Sequence, residues 1–184
     1  MSLSQEKDKE FTYTDYLTWP DEERWELIDG RAYNMTPAPT TKHQSLIGNF
    51  FGLLRTAVCG ASCRCFIAPT DIVLSPRDVV QPDVFVVCDR TKITDANIQG
   101  APDLVVEVAS PSTGLKDKRE KKNLYEKHGV REYILIYPSL GCVERFLLAE
   151  DGLYGKGDTF GANEMLPLGS LTDITIDLRE VFEE

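Results

Sequence analysis

Two apolar runs with an amphipathic helix between them constrain the fold of this 184-residue chain more than any other feature. The runs LVVEV at 104–108 and EYILIY at 132–137 are continuous enough to be strands covered on both faces. Between them, residues 116–128 carry apolar side chains at helical spacing and stop at Gly129, a residue type that commonly ends helices. A strand–helix–strand unit joins parallel strands through a right-handed crossover. The sequence therefore predicts an α/β fold with a mixed β-sheet.

The rest of the chain predicts further strands and helices around this unit. Apolar residues on both sides of the Asp29-Gly30 turn predict a β-hairpin over WELIDGRAYNM, and residues 40–58 have the spacing of an amphipathic helix. A short helix is expected at FTYTDYLTWPDEER, capped by Thr12 or Thr14. Strands are expected at RCFIAP, DIVLS, VFVVC, CVERFLLA and near Leu153-Tyr154, and the tail is expected to form a strand and a short helix. Without a visible linker, residues 1–184 are expected to form one domain, with 1–10 as a disordered lead-in.

The charge balance excludes one class of nucleic-acid-binding protein. A net charge of −10 and a pI near 4.7 argue against a protein that coats DNA non-specifically, because such binding depends on Lys and Arg neutralising phosphates. A nuclease is still compatible with this charge, since a carboxylate-rich metal site adds negative charge of its own. Residues 116–131 form a local basic stretch that could contact nucleic acid or, alternatively, be a solvated helix face.

Five cysteines without a visible secretory signal predict a reduced, cytoplasmic protein. Cys59, Cys63 and Cys65 lie close together in the sequence, but a structural zinc site would need a fourth ligand. The alternative is that these cysteines pack as small hydrophobic residues. No apolar run approaches the roughly 20 residues that span a bilayer, so no membrane segment is expected.

Three acidic residues lie in segments that otherwise have the pattern of buried strands. Glu107 interrupts LVVEV, Asp83 precedes VFVVC, and Glu26 lies in WELID. An isolated ionised carboxylate in an apolar strand costs several kcal/mol unless a partner compensates it. In the simplest alternative, each acid lies at a wet strand end or pairs with an arginine, for which Arg24, Arg31 and Arg64 are the candidates. Acids on three separate strands nevertheless favour a shared site.

The predicted helix after LVVEV adds a lysine to this set. Because side chains three and four residues apart share a helix face, Lys121 lies on the apolar stripe with Leu124 and is predicted to reach Glu107. The polar members of the same stripe are Asp117, Lys121, Tyr125 and His128. Lys118, Lys122 and Glu126 are expected on a solvated face. Alternatively, Lys121 covers apolar surface with its stem and keeps its amine in water.

These motifs, taken in order, resemble those of the Uma2 family, formerly a domain of unknown function and assigned to the PD-(D/E)XK nuclease superfamily. The resemblance covers roughly residues 12 to 150. It rests on ELIDG at 26–30, His43, QPDV at 81–84, VVEVASPST at 105–113, and the pattern D-x-x-x-K-x-x-x-Y-x-x-x-G-V-x-E-Y at 117–133.

The resemblance implies a restriction-endonuclease-like fold, in which a mixed β-sheet is flanked by helices, and a metal site. It implies that Asp83 and Glu107 are both catalytic and metal-binding, with the main-chain carbonyl of Val108 and with Glu26 as further ligands. Mg²⁺ or Mn²⁺ suits such an oxygen-rich set. The parent pattern has a lysine two residues after the second acid, where this chain has Ala109, and Lys121 is expected to substitute for it, with Lys118 and Lys122 as rivals. The residues expected to support the site or touch substrate are His43, Gln44, Asp117 and Tyr125.

The resemblance therefore predicts a Mg²⁺-dependent endonuclease that hydrolyses DNA phosphodiester bonds. A nuclease-fold domain that has lost catalysis and binds nucleic acid or a protein partner is the main alternative, and a small globular protein without a site is a third. Some nucleases of this fold pair to cut two strands, so a homodimer is expected by analogy alone.

Overall fold

The computed structural model describes residues 9–20, 22–35, 39–110 and 117–183, without the side chains of Asp117 and Lys118. Residues 111–116, which include Ser112 and Thr113 as candidate caps of the helix predicted at 116–128, and residues 1–8 of the expected lead-in lie outside the described residues. The helices are α1 Tyr13–Tyr16, α2 Thr41–Ala57, α3 Lys122–Lys127 and α4 Leu178–Phe182. The strands are β1 Trp25–Ile28, β2 Arg31–Asn34, β3 Arg64–Ile67, β4 Ile72–Ser75, β5 Asp78–Val80, β6 Val84–Val87, β7 Ile98–Gln99, β8 Leu104–Val108, β9 Glu132–Tyr137, β10 Cys142–Leu147, β11 Asp158–Gly161, β12 Met165–Pro167 and β13 Thr175–Asp177.

A six-stranded mixed sheet in the order β11-β10-β9-β8-β6-β3 forms the centre of the molecule. Strands β8 and β9 pair in parallel, as the strand–helix–strand pattern predicts, and the other neighbours in this sheet are antiparallel. A second sheet has the order β2-β1-β5-β4-β7, and β12 pairs with β13. The predicted α/β class with a mixed sheet flanked by helices is confirmed.

The two faces of the six-stranded sheet are covered by different layers. Leu104, Val106 and Val108 of β8 pack with helices α2 and α4. Val105, on the opposite face, packs with Leu124 of α3 and with residues of the five-stranded sheet. This division follows from the alternation of side chains along a strand. Any polar side chain on the Val105 face must therefore find its partners between the two sheets.

The helix predicted at 116–128 has a different form in its first turn. Residues Asp117–Lys121 form a π-helical turn, and the α-helix proper covers only Lys122–Lys127. Helix α1 ends at Tyr16, four residues before Pro20, and Thr12 is its N-cap in a capping box with Asp15. The strand expected near Leu153-Tyr154 is limited to one bridge, between Leu148 and Tyr154, and β11 forms the sheet edge instead.

Cys63 and Cys88 form a disulfide next to the β3–β6 ladder, so the prediction that all cysteines are reduced is wrong for this pair. Cys63 is thereby removed from the zinc cluster considered above. Burial raises the pKa of the Cys65 thiol to about 12, which keeps it protonated at neutral pH. Cys65 packs against the apolar core, as the alternative interpretation expects.

In the part of the chain that the structure describes, we find no helix with the length and apolar character needed to cross a bilayer.

A buried carboxylate joins the end of α3 to the five-stranded sheet. Asp78 of β5 is 1% exposed, and its Oδ2 lies 2.8 Å from Nε2 of His128 and accepts a hydrogen bond of 2.8 Å from the Ser75 hydroxyl. Its Oδ1 accepts the backbone N–H of Asp29, whose φ of 49° belongs to the predicted hairpin turn, and Lys127 lies 3.3 Å from Oδ2. His128 is thus a structural partner of Asp78.

Replacing this carboxylate by an amide, Asp78→Asn, is expected to lower the free energy of unfolding by about 2–3 kcal/mol at pH 7, because several donors lose a charged acceptor. Burial by itself would raise the pKa of Asp78, but the hydrogen bonds that it accepts hold the pKa well below its ordinary value. The stabilisation is therefore complete above the unfolded-state pKa of about 3.9 and is lost as the pH falls below it. Urea unfolding at pH 7 and at pH 3 measures this difference, with the exposed Asp151→Asn as control; an equal effect of Asp78→Asn at both pH values would contradict the assignment.

Candidate active site

Strand register places Asp83 and Glu107 side by side on one face of the six-stranded sheet. Strands β6 and β8 pair antiparallel with Val84 opposite Val106, so the next pair outward is Asp83 opposite Glu107. Directly opposed residues project from the same face of a sheet. The Asp83 carboxylate also accepts a hydrogen bond of 2.8 Å from the backbone N–H of Val108. Asp83, directly before β6, and Glu107, on β8, are 24 residues apart in sequence and are therefore brought together by the pairing of these strands.

A single ammonium group lies between two buried glutamates in this layer. Nζ of Lys121 is 2.8 Å from Oε1 of Glu107 on β8 and 2.8 Å from Oε1 of Glu26 on β1. Glu26 is 1% exposed, and Glu107 and Lys121 are each 4% exposed. The five-stranded sheet thus contributes one carboxylate, the six-stranded sheet the other, and the π-helical turn before α3 the cation that both share.

Tyr125 and Gln81 also donate hydrogen bonds to the two glutamates. The hydroxyl of Tyr125 donates to Oε1 of Glu107 at 2.8 Å, and the backbone N–H of Gln81 donates to Oε1 of Glu26 at 3.2 Å. Burial, reinforced by the negative charge of Glu107, raises the pKa of Tyr125 well above its ordinary value. Tyr125 therefore remains a hydrogen-bond donor that holds the Glu107 carboxylate in place.

The rival Lys122 is placed differently from Lys121. Lys122 is half-buried, with Nζ 4.7 Å from the centroid of the Phe146 ring, and Glu126 accepts the backbone N–H of Tyr154. The face that was expected to be solvated thus packs against β10 and the segment after it. The side chains of Lys118 and Asp117, the latter a predicted supporting residue, lie outside the described residues.

Among the side chains that the structure describes, the site brings together the carboxylates of Glu26 and Glu107 and the ammonium of Lys121, and Asp83 lies directly before the neighbouring strand β6. Burial raises the pKa of Asp83, while His43, the N–H of Val108 and Lys121 act to lower it without reversing the shift. Separating buried charges from water is costly unless opposite charges and hydrogen bonds compensate it. Each of these buried charges therefore depends on its partners for stability.

His43 approaches the same strand end from the other side of the sheet. It lies in the first turn of α2, with Nε2 3.0 Å from the carbonyl oxygen of Val108 and 3.6 Å from Oδ2 of Asp83. Gln44, its neighbour on α2, is exposed, and within the described ranges its side chain makes no hydrogen bond to the other predicted site residues. The structure thus brings His43 to the site and leaves Gln44 at the surface.

The donor types fit a hard divalent cation, although the described residues are not arranged as a complete metal site. Three carboxylates and the Val108 carbonyl are the oxygen ligands that Mg²⁺ and Mn²⁺ prefer. The Lys121 ammonium acts as a stand-in cation, since it shows that Glu26 and Glu107 already converge on one positive charge. Within 9–20, 22–35, 39–110 and 117–183, no three or more His, Cys, Asp or Glu side chains are grouped as metal ligands. In this arrangement the Val108 carbonyl is engaged by His43.

Sequence reasoning assigned no role to Gln81, although the residue lies in the QPDV motif. Its Nε2 donates to Oδ1 of Asp71 at 2.8 Å and to the Tyr16 hydroxyl at 3.3 Å, and its Oε1 accepts two hydrogen bonds from Arg24. Arg24 therefore binds this amide instead of neutralising one of the acids. A polar residue directly before the Pro-Asp pair was the available signal in the sequence.

Removing the central ammonium by Lys121→Met is expected to lower the free energy of unfolding by about 3–5 kcal/mol at pH 8, because two buried carboxylates are left without their shared cation. Protonation of one glutamate relieves the repulsion, so the variant should regain stability as the pH falls toward 5, where the carboxylates bind protons more readily. Denaturant unfolding across this pH range provides the measurement. Lys122→Met removes the same charge from the neighbouring residue and serves as the control; equal losses in the two variants would show that Lys121 has no special role.

This chain is similar to a known protein family, to a curated relative and to a solved structure. Residues 13–179 match the profile of the Uma2 family, whose description is putative restriction endonuclease. An uncharacterized protein from Synechocystis sp. is 29% identical over 148 residues, which is 75% of this chain and 74% of that protein. The crystal structure of a putative nuclease belonging to DUF820 from Anabaena variabilis matches with a TM-score of 0.77 at 19% identity, covering 94% of this chain and 97% of that one.

The structural match confirms a fold shared with a nuclease-fold protein, and at 19% identity it shows the fold alone. The family match covers most of the chain and includes Glu26, Asp83, Glu107 and Lys121. The resemblance inferred from the motifs is therefore confirmed, and this protein belongs to the Uma2 family.

Proposed function

We propose that this protein is a Mg²⁺- or Mn²⁺-dependent endonuclease that hydrolyses DNA phosphodiester bonds. The observation that carries the proposal is the convergence of Glu107 and Glu26 on the buried ammonium of Lys121, with Asp83 directly before the strand next to Glu107, in a chain of a family described as putative restriction endonuclease. A site that gathers carboxylate oxygens is suited to a divalent cation and, through it, to a phosphate group.

The proposed ligands are the carboxylates of Asp83, Glu107 and Glu26 together with the Val108 carbonyl. A bound divalent cation would supply Lewis-acid chemistry by lowering the pKa of a coordinated water and offsetting the charge of the phosphate. The protein's own groups hold these ligands in place. Tyr125 orients Glu107, the N–H of Val108 orients Asp83, and His43 lies against the Val108 carbonyl.

Lys121 is the proposed catalytic lysine. Its ammonium lies in the same layer as Asp83 and is held by hydrogen bonds to two acids on different sheets. Once the negative charge of those acids is shared with a divalent cation, the ammonium is positioned to orient the attacking water and to stabilise negative charge on the phosphate oxygens. Preorganised groups of this kind act strongly because they are buried and need no rearrangement.

Several described side chains of the basic stretch at 116–131 have partners within the protein. Lys121 is buried between the glutamates, Lys122 lies over Phe146, Lys127 pairs with Asp29 and Asp78, and Arg131 pairs with Asp103. Of these four, Lys127 and Arg131 keep more than half of their side-chain surface exposed and could contact a DNA backbone. A homodimer and a cytoplasmic location are separate proposals that do not depend on this stretch.

A catalytically inactive nuclease-fold domain that binds nucleic acid or a protein partner is the second candidate. Two observations favour it. The Lys121 ammonium occupies the space between Glu26 and Glu107, and the described residues include no preformed group of three metal-ligating side chains. The two candidates differ in their response to metal and in DNA cleavage, as follows.

Mn²⁺ or Mg²⁺ is expected to raise the melting temperature of the protein. A ligand at 100 times its Kd stabilises the folded state by about 2.7 kcal/mol, which corresponds to a rise of several degrees for a chain of this length. Asp83→Asn and Glu107→Gln should abolish the rise in melting temperature, while Asp158→Asn on β11 should retain it.

The rise in melting temperature should also depend on pH. Because burial raises the pKa of Asp83, protons compete with the metal at a higher pH than they would at an exposed aspartate, so the rise should shrink as the solution is acidified. Thermal unfolding followed by circular dichroism measures these shifts, and unchanged metal responses in both site variants would show that the site is wrongly assigned.

Supercoiled plasmid is expected to be nicked in the presence of Mn²⁺. Asp83→Asn, Glu107→Gln and Lys121→Ala should each lower the nicking rate by at least about 100-fold, the scale of losing one preorganised electrostatic group. Lys122→Ala should retain activity and controls for loss of a neighbouring positive charge. Gel electrophoresis of the plasmid over time gives the rates. Binding of labelled DNA without nicking by the parent protein would favour the inactive-domain candidate, and nicking that survives in Lys121→Ala would remove that residue from the mechanism.

A further inference from the structure

A cavity of about 430 Å³ lies beside the candidate active site and belongs to neither the metal ligands nor Lys121. It is bordered by the end of β3, the start of β4 and the segment before β7. The lining residues that matter for its chemistry are Phe66, Pro69, Asp71, Gln81, Asp95 and Asn97. Its volume is in the range of cavities that bind small organic ligands.

The cavity lies one strand away from Asp83. In the β3–β6 ladder Phe66 is opposite Phe85 and Ile67 is opposite Val84, so Ala68 comes opposite Asp83. The backbone N–H of Ala68 donates to the Asp83 carbonyl at 3.0 Å. Because neighbouring strands are about 4.8 Å apart and opposed residues share a face, Phe66 lies on the same face as Asp83. A nucleotide next to a phosphate held at Asp83 would reach this cavity.

One wall of the cavity is an aromatic ring held in a fixed position. The ring of Phe66 stacks on that of Phe85 with centroids 5.2 Å apart and an interplanar angle of 16°. Phe85 is fully buried, whereas Phe66 is only partly buried and lines the cavity. An aromatic side chain supported from behind in this way is a suitable stacking surface for a nucleobase.

The polar lining supplies hydrogen-bond acceptors and negative charge. Oδ1 of Asp71 accepts from the Tyr16 hydroxyl at 2.9 Å and from Nε2 of Gln81 at 2.8 Å. In the ranges that the structure covers, no hydrogen bond reaches Oδ2 of Asp71, and a carboxylate can accept at both oxygens. Asp95, also in the lining, is exposed. Two carboxylates disfavour a phosphate in this cavity but suit a group that donates hydrogen bonds.

Donor groups distinguish the bases from one another. Cytosine carries an amino group at C4 and adenine one at C6, whereas thymine and uracil present a carbonyl oxygen at C4, and acidic side chains accept from the cytosine amino group. We propose that this cavity binds one unstacked base of the DNA substrate, next to the cleaved phosphodiester, and prefers a base with an amino group. As a substrate subsite it rests on the proposed nuclease function.

Gln81 couples the cavity to the active site. Its side chain binds Asp71 in the cavity wall, and its backbone N–H donates to Glu26 of the candidate metal site. Burial raises the pKa of Tyr16, so its hydroxyl stays protonated and keeps donating to Asp71. A base held by Asp71 is therefore connected, through one residue, to a carboxylate that faces Lys121. Because the cavity would hold a base outside the stack, the enzyme would favour DNA whose bases unstack easily, such as single-stranded or distorted segments.

The test compares deoxycytidine with deoxyuridine, which differ at the amino position and carry no phosphate. Nucleoside titrations are followed by ¹H–¹⁵N NMR through the backbone amides of Ala96, Asn97 and Ile98. The expected result is shifts at these amides and binding of deoxycytidine at least about fivefold tighter than that of deoxyuridine, the lower end of discrimination by a good base contact. Equal affinities, or no shifts at these amides, would overturn the proposal.

Two variants with matched controls test the two walls of the cavity. Asp71→Asn keeps an acceptor for Tyr16 and Gln81 but replaces the other carboxylate oxygen by an amide donor, so the preference for deoxycytidine should disappear. Asp158→Asn removes one charge at the opposite edge of the sheet and should retain the preference for deoxycytidine.

Phe66→Leu should weaken the binding of both nucleosides by at least about fivefold, because stacking is lost. Phe160→Leu, on the other edge strand, should leave both affinities unchanged. An unchanged preference in Asp71→Asn would overturn the role of the carboxylate, and unchanged affinities in a folded Phe66→Leu would overturn that of the ring.

Failure of this proposal can be told apart from failure of the nuclease proposal, because nucleoside binding needs neither metal nor cleavage. A protein that nicks plasmid but shows no preference between the nucleosides contradicts the base site alone. A protein that binds deoxycytidine at these amides and never nicks plasmid supports the base site and contradicts only the nuclease activity.

Discussion

The site depends on one ammonium group shared by two buried carboxylates. Lys121, Glu26 and Glu107 come from three different parts of the chain, and none of them can be buried alone at acceptable cost. Their pairing is therefore compatible only with a structure in which the hairpin of β1 and β2, the strand β8 and the turn before α3 are docked together. The same interaction that satisfies the charges also fixes how the two sheets face each other at the site.

The number of carboxylates gathered at the site has a functional consequence. Among the described residues, Glu26 and Glu107 share the Lys121 ammonium, and Asp83 lies directly before the neighbouring strand β6. A purely structural ion pair would gain nothing from a third acid nearby, since it adds repulsion. A site that takes up a divalent cation gains from it, because each oxygen ligand then contributes to binding. This difference is the physical basis for proposing a nuclease rather than an inert buried pair.

The cavity beside Asp83 has the chemistry expected for binding the base of a nucleotide, and the candidate metal site has the chemistry expected for binding its phosphate. The candidate metal site collects carboxylates where a cation and a phosphate would lie, whereas the cavity combines an aromatic ring with acceptors and has no positive side chain in its described lining. The phosphate would thus lie at the metal site, and the base would stack on the aromatic ring and donate hydrogen bonds to the acceptors of the cavity. Gln81 contacts both regions, so the two are parts of one connected polar network.

Much of this was present in local sequence patterns. Alternation along LVVEV placed Glu107 with Val105, helical spacing placed Lys121 with Leu124, and the Asp29-Gly30 pair marked the hairpin that carries Glu26. Such patterns are reliable because they depend on backbone periodicity, which is a local property. The same patterns misplaced Lys122, which packs on Phe146, because they cannot show what another strand brings to a helix face.

The sequence by itself determined the α/β class, the face of each strand on which an acid lies and the lysine that turns toward the sheet. Only the tertiary structure decided that Asp83 accepts a hydrogen bond from the Val108 N–H at the end of β8, that Cys63 meets Cys88, that His128 binds Asp78 and that a cavity opens between β3 and the segment before β7. These features depend on strand register and on contacts between residues distant in the chain, and both are set by the packing of the whole molecule.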